Sequence, residues 1–236
     1  MRLLFALLVA VALTSCSKGS PTATPVTSAP LPSLSDTPTA EPTTPLPVVK
    51  QPSPTPTARH KPALDGDVDG DGKQDSIRSR GALLTVELSG TGKTVTAPVH
   101  LDGPGDALVL GSKDVDRDGY AEVFLQTASG ASTTFATPYR FDGMKLREMQ
   151  LDGGPARLGI GGSVTHGDGF RCLKTGRLEI RSADSQDGST FTVHVDIYRL
   201  GKSQLVLVSS STSQAKQGDP AVEESYQVQC GSVGDG

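Results

Sequence analysis

The chain predicts an all-β, antiparallel repeat array. Three observations point there: short runs in which apolar and polar residues alternate, Gly- and Asp-rich turns between them, and an acidic loop that occurs twice. In order, Leu84, Val86 and Leu88 alternate with Thr85 and Glu87. Residues 120–127 and 203–209 are short apolar runs. Val193, Val195 and Ile197 alternate with Thr192, His194 and Asp196. Ser89-Gly90-Thr91-Gly92, Asp142-Gly143 and Asp187-Gly188 are the turn signals. No stretch after residue 62 carries the spacing of an amphipathic helix of three turns.

The repeated loop is the most informative feature. Asp67-Val68-Asp69-Gly70-Asp71-Gly72-Lys73-Gln74-Asp75 returns 47 positions later as Asp114-Val115-Asp116-Arg117-Asp118-Gly119-Tyr120-Ala121-Glu122. Four carboxylates so close together repel one another unless a cation neutralises them. Their spacing is that of a calcium loop, with side chains at the first, third and fifth positions and a carbonyl at the seventh. The expected ligands of one ion are Asp67, Asp69, Asp71, the Lys73 carbonyl and Asp75. Those of a second are Asp114, Asp116, Asp118, the Tyr120 carbonyl and Glu122. Gly72 and Gly119 let the chain reverse with positive φ, while Val68 and Val115 point away from the ion into the core. An EF-hand is excluded, because its twelfth position would be Arg78 or Leu125 and strands follow both loops. A register starting at Asp65 would put the Lys73 cation at its ninth position, so the register starting at Asp67 is the better one.

Internal repetition extends beyond the loops. Tyr139-Arg140-Phe141-Asp142-Gly143 and Tyr198-Arg199-Leu200-Gly201-Lys202 share a rhythm of aromatic, arginine and turn. Aligning them sets Gly167-Asp168-Gly169-Phe170 beside Arg117-Asp118-Gly119-Tyr120. Three repeats follow, near 64–110, 111–160 and 161–236, the last keeping Asp168 but offering Val164, His166 and Cys172 at other ligand positions.

The N-terminus has a different character. Arg2 precedes eleven apolar residues, 3–13, which suit a signal peptide and are too short to span a bilayer. Leu13-Thr14-Ser15-Cys16 resembles the bacterial lipobox. That resemblance implies a signal peptide over 1–15, lipid on the Cys16 thiol, and anchoring to the extracytoplasmic face of a bacterial membrane. An ordinary secretory signal that contains a cysteine is the other reading. With Cys16 lipidated, Cys172 and Cys230 remain as either one disulfide or two buried thiols. Twelve of the seventeen prolines fall in 17–62, among Thr, Ser and Ala. Residues 16–62 therefore read as a disordered linker, reaching roughly 140 Å at about 3.1 Å per residue if fully extended. The β-rich domain occupies 63–236, long enough for one core.

The two acidic loops resemble the FG-GAP/VCBS repeats, known from integrin α-subunit propellers and many bacterial surface proteins. In that family the loop joins two strands of a propeller blade and holds calcium. The resemblance implies two calcium sites and a propeller-like architecture, open or partial, since three blades are too few to close. An open array, an oligomer, or a sandwich that borrows the loops are the alternatives.

Other signals are weak. A formal net charge of −4 and the lack of a basic stretch interleaved with aromatics argue against nucleic acid. Gly90-Thr91-Gly92-Lys93-Thr94 imitates a phosphate loop but lacks its upstream glycine. Gly161-Gly162-Ser163-Val164-Thr165 lacks the closing glycine of a nucleophile elbow. His60, His100, His166 and His194 have no zinc spacing, although His194 and Asp196 share one strand face. The expected function is binding or scaffolding at the cell envelope, with an envelope protein or the cell wall as partner. The competing class is a hydrolase-like envelope enzyme.

Overall fold

The computed structural model describes residues 61–234. The expected signal peptide, the lipidation site Cys16 and nearly all of the linker lie outside the described residues. Within them the chain is β-rich, and no sheet closes on itself. No described helix is long and apolar enough to cross a membrane.

β1 (Ser76–Arg80), β2 (Leu83–Leu88) and β3 (Lys93–Pro98) form a three-stranded antiparallel meander. The expected alternation holds here: Leu84, Val86 and Leu88 are buried and Glu87 is exposed. The Ser89-Gly90-Thr91-Gly92 stretch is the hairpin turn, closed by Gly92 N donating to Leu88 O at 2.7 Å.

β4 (Leu108–Lys113), β5 (Glu122–Ser129), β6 (Thr133–Phe141) and β7 (Leu146–Glu148) continue as a second meander. Two short strands, β8 (Gln150–Leu151) and β9 (Gly154–Pro155), pair separately. β10 (Leu158–Ser163), β11 (His166–Leu173), β12 (Arg177–Asp184), β13 (Thr190–Leu200) and β14 (Leu205–Lys216) form a third. β10 bonds to the start of β6, so the second and third meanders share one ten-stranded sheet. A one-turn helix α1 (Pro220–Glu223) then leads to β15 (Val228–Gln229), which adds to β11 in parallel.

Packing explains what the residue pattern concealed. Val123 and Leu125 of β5 enter one core with β2 and β3, whereas Phe124 enters a second core with β11 and β12. β5 is covered on both faces and therefore reads as a continuous apolar run rather than an alternation. Phe124 stacks on Phe170 of β11 with ring centroids 5.7 Å apart, although two strands separate β5 from β11. A flat sheet would hold them about 14 Å apart at its usual strand spacing, so the large sheet curls around the second core. A third core of Ala183, Phe191, Val193 and Val222 seals the far end under α1.

Three stretches depart from a simple one-faced strand pattern. β13 meets two cores with opposite faces: Phe191 and Val193 enter the third core, whereas Tyr198 and Leu200, of the other parity, enter the second. The apolar run 203–209 leads into β14 at the sheet edge, where Leu205 is buried and a bulge at Val208 leaves Leu207 and Val208 exposed. Gly167, Asp168, Gly169 and Phe170, which align with the second loop, lie inside β11 and form no loop, and residue 160 falls inside β10.

The two ends of the described chain are tied together. Asp65 accepts from Lys113 Nζ at 2.9 Å and from Ser232 N at 3.2 Å, so its carboxylate is engaged away from the first loop. Gly234 N donates to Leu110 O at 3.1 Å, covering the β4 edge. Cys172 and Cys230 lie at disulfide distance, with Cα atoms 4.7 Å apart and a sequence separation of 58. A double Cys172→Ala, Cys230→Ala variant is expected to lose about 4 kcal/mol of stability on the chain-entropy account. Denaturant unfolding of oxidised protein and variant checks this.

Candidate metal centre

The strands they join position the acidic loops. Residues 67–75 lead into β1, and residues 114–122 connect β4 to β5. Val68 is buried in the first core and Val115 in the second, so each loop is anchored from beneath by its second residue, as expected.

Above each anchor the same four side-chain-to-backbone hydrogen bonds recur in the same register. The first carboxylate accepts from the sixth residue: Gly72 N donates to Asp67 Oδ2 at 2.9 Å, and Gly119 N to Asp114 Oδ2 at 3.1 Å. The third accepts from the fifth: Asp71 N to Asp69 Oδ1, and Asp118 N to Asp116 Oδ1, both at 3.3 Å. The fifth accepts from the seventh: Lys73 N to Asp71 Oδ1 at 2.8 Å, and Tyr120 N to Asp118 Oδ1 at 3.0 Å. The ninth accepts from the second: Val68 N to Asp75 Oδ2 at 2.8 Å, and Val115 N to Glu122 Oε2 at 2.9 Å.

The backbone matches as well. Gly72 and Gly119 have φ of 86° and 95°, as the loop reading requires. The fourth position is also left-handed, Gly70 at 75° and Arg117 at 62°. Gly70 is needed for a further reason. A Cβ there would stand 2.6 Å from the Gly119 carbonyl oxygen, because the two loops abut. Ala121 N donates to Asp67 O at 2.8 Å across the same junction.

In each loop three carboxylates converge, Asp67, Asp69 and Asp71 in the first and Asp114, Asp116 and Glu122 in the second. In each set the ligand-bearing oxygens lie within 4.8 Å of one another. Asp67 is 2% exposed and its Oδ1 has no hydrogen-bond partner. Glu122 is fully buried and its Oε1 has none either, standing 3.8 Å from Arg140 Nε. Burial raises the pKa of Asp67 against the pull of backbone N–H groups. Burial and the neighbouring Asp75 and Asp71 charges raise that of Asp69. Burial, then the Asp116 charge, holds Glu122 well above the usual carboxylate range. Buried, mutually repelling oxygens with unused lone pairs are the donor set of a hard cation, so the residues fit the expected ion.

The ninth and fifth positions depart from expectation. Asp75 is not in the first cluster: its second oxygen accepts from Ser89 N at 2.8 Å, tying the loop to the β2–β3 turn. A Cβ on Gly90 in that turn would overlap the Asp71 carboxylate, which gives the glycine of the false phosphate loop its role. Glu122, one methylene longer, reaches into the second cluster where Asp75 does not reach the first. Asp118 leaves the second cluster to pair with Arg140 Nη2. Lys73 and Tyr120 take part through their N–H groups.

Arg140 is the functional residue that sequence reasoning missed. It projects from β6 over the second loop, with Nη1 donating to Asp116 Oδ2 at 2.8 Å. Burial opposes its charge, but Glu122, Asp116 and Asp118 outweigh burial and raise its pKa. The signal was present in the Tyr-Arg-Phe rhythm, but its target loop lies about twenty residues away in sequence.

His194 and Asp196, which share a strand face, do not pair. His194 Nδ1 meets Thr212 Oγ1 at 3.0 Å, and Asp196 lies 3.4 Å from the Tyr198 hydroxyl. His166 is held between two carboxylates, with Nε2 2.7 Å from Asp168 and Nδ1 2.6 Å from Asp184. The Ser163-Val164-Thr165 segment is the neighbouring β10–β11 turn. The chain matches no protein-family model, and no curated protein or solved structure matches it either.

The hydrogen bond to Asp184 raises the His166 pKa; partial burial opposes it and Asp168 reinforces it. A raised folded-state pKa stabilises fully below the unfolded value of about 6.5 and loses its effect as pH rises through the folded value. His166→Gln is therefore expected to lower the melting temperature at pH 5.5 and to change it little at pH 9.

Proposed function

We propose that the chain is a bacterial cell-envelope lipoprotein whose β-rich domain is a calcium-stabilised binding or scaffolding module of FG-GAP/VCBS type. One observation carries the calcium reading: two loops with the same hydrogen-bond frame each bury a carboxylate oxygen, Asp67 Oδ1 and Glu122 Oε1, that receives no hydrogen bond within the protein. An unpaired buried carboxylate is costly, and a bound cation removes the cost.

Asp67, Asp69 and Asp71 hold the first ion, and Asp114, Asp116 and Glu122 the second, with Asp75 and Asp118 fixing the loop backbone beside them. Calcium supplies charge neutralisation. The chain supplies the rest: Val68 and Val115 seat the loops on two cores, and the abutting glycines lock one loop against the other. The role is structural, since the ions pin the turns that set the first meander against the second. The open β-array is the partial propeller that three repeats would make, presented from the membrane on a Pro/Thr-rich stalk. Its partner is an envelope protein or a cell-wall component.

Calcium is expected to bind with Kd near 10⁻⁴–10⁻³ M, as extracellular modules do. At ten times Kd each site adds about 1.4 kcal/mol, raising the melting temperature of the full chain by several degrees. Chelator reverses the rise, and a melt indifferent to calcium would remove the metal from this reading. Asp69→Ala is expected to abolish the first site and leave the second, so a titration would fall from two equivalents to one. Replacing Cys16 by Ser is expected to release the protein from the membrane fraction. Retention there would refute the lipid anchor.

A further inference from the structure

A cleft of about 880 Å³ opens beside the second acidic loop. Asp116, Asp118 and Arg140 form its floor. The β6–β7 hairpin, with Asp142 and Arg147, makes one wall, and the β13–β14 hairpin, with Arg199 at the end of β13 and Lys202 in the turn, makes the other. Arg140 Nη1 donates to Gly201 O at 3.2 Å, fastening the floor to the second wall. The volume is that of a small-molecule site.

The charges in it are unevenly engaged. Arg147 pairs with Asp142, and Arg140 with Asp116 and Asp118. Among the described residues no ion pair involves Arg199 or Lys202. Both side chains therefore offer unshared donors at the wall. The floor works against an anion, because Asp114 and Glu122 lie just behind Asp116 and Asp118 and repel it. A divalent cation in the second loop cancels that repulsion while leaving the cationic wall in place.

We infer that this cleft is a calcium-dependent oxyanion site, in which Arg199 and Lys202 receive a carboxylate or phosphate group of the partner. The inference rests on the calcium reading of the second loop and adds the ligand chemistry to it. Guanidinium forks suit both oxyanions. Linkage requires that the anion tighten calcium binding by the same factor by which calcium tightens the anion.

Isothermal titration of the full chain in detergent, with glycerol phosphate and with acetate as probes, tests it. Calcium-loaded protein is expected to bind at least one probe ten-fold or more tightly than calcium-depleted protein. Glycerol phosphate alone would identify a phosphate ligand, and acetate alone a carboxylate ligand. An Arg199→Ala, Lys202→Ala double variant is expected to lose probe binding yet keep its calcium-induced rise in melting temperature. Equal probe affinity with and without calcium would overturn the inference, as would no binding to protein that calcium has visibly stabilised. Those two results leave the calcium reading standing, whereas a melt unmoved by calcium overturns both.

Discussion

Glu122 is the point on which the architecture turns. Its carboxylate is fully buried at the head of β5, the strand whose two faces belong to two different cores. One oxygen accepts the Val115 N–H and thereby folds the second loop back over the strand end. The other faces Asp114, Asp116 and the Arg140 guanidinium without a hydrogen bond. A carboxylate in that position cannot be ionised unless positive charge stands beside it. Arg140 supplies part of that charge, and the loop geometry is suited to a second cation.

The two loops share a hydrogen-bond frame but differ in electrostatics. Among the described residues no arginine pairs with the first, and its ninth-position Asp75 is consumed by backbone N–H groups of the loop and of the β2–β3 turn. Its three converging aspartates include one deeply buried oxygen, and among the described residues no ion pair offsets their charge as Arg140 does in the second loop. Because Ala121 N bonds to Asp67 O and Gly70 touches Gly119, the state of one loop is felt by the other. The loops therefore join the first meander to the ten-stranded sheet.

Much of this was legible locally. The alternation in β2, the hairpin glycines and the register of both loops depend on neighbours within about ten residues, and local steric and hydrogen-bonding rules suffice to read them. Burial of Val68 and Val115 followed from the same logic. The errors lie where distant residues decide. β13 buries Phe191 and Val193 on one face and Tyr198 and Leu200 on the other because two different cores cover it along its length, which the strand pattern does not show. Asp168 resembled a loop ligand by alignment, yet it is a strand residue paired with His166. Asp118 looked equivalent to Asp71 until Arg140 claimed it.

The sequence by itself determined the β character, the two acidic loops and their internal hydrogen-bond frame, because each is set by residue type and short-range spacing. Tertiary structure alone decided that the large sheet curls until Phe124 stacks on Phe170, that Cys172 meets Cys230, and that Arg140 stands over the second loop. Those outcomes depend on how strands far apart in the chain bury their faces against one another. Such long-range burial leaves no periodic trace in the residues that take part in it.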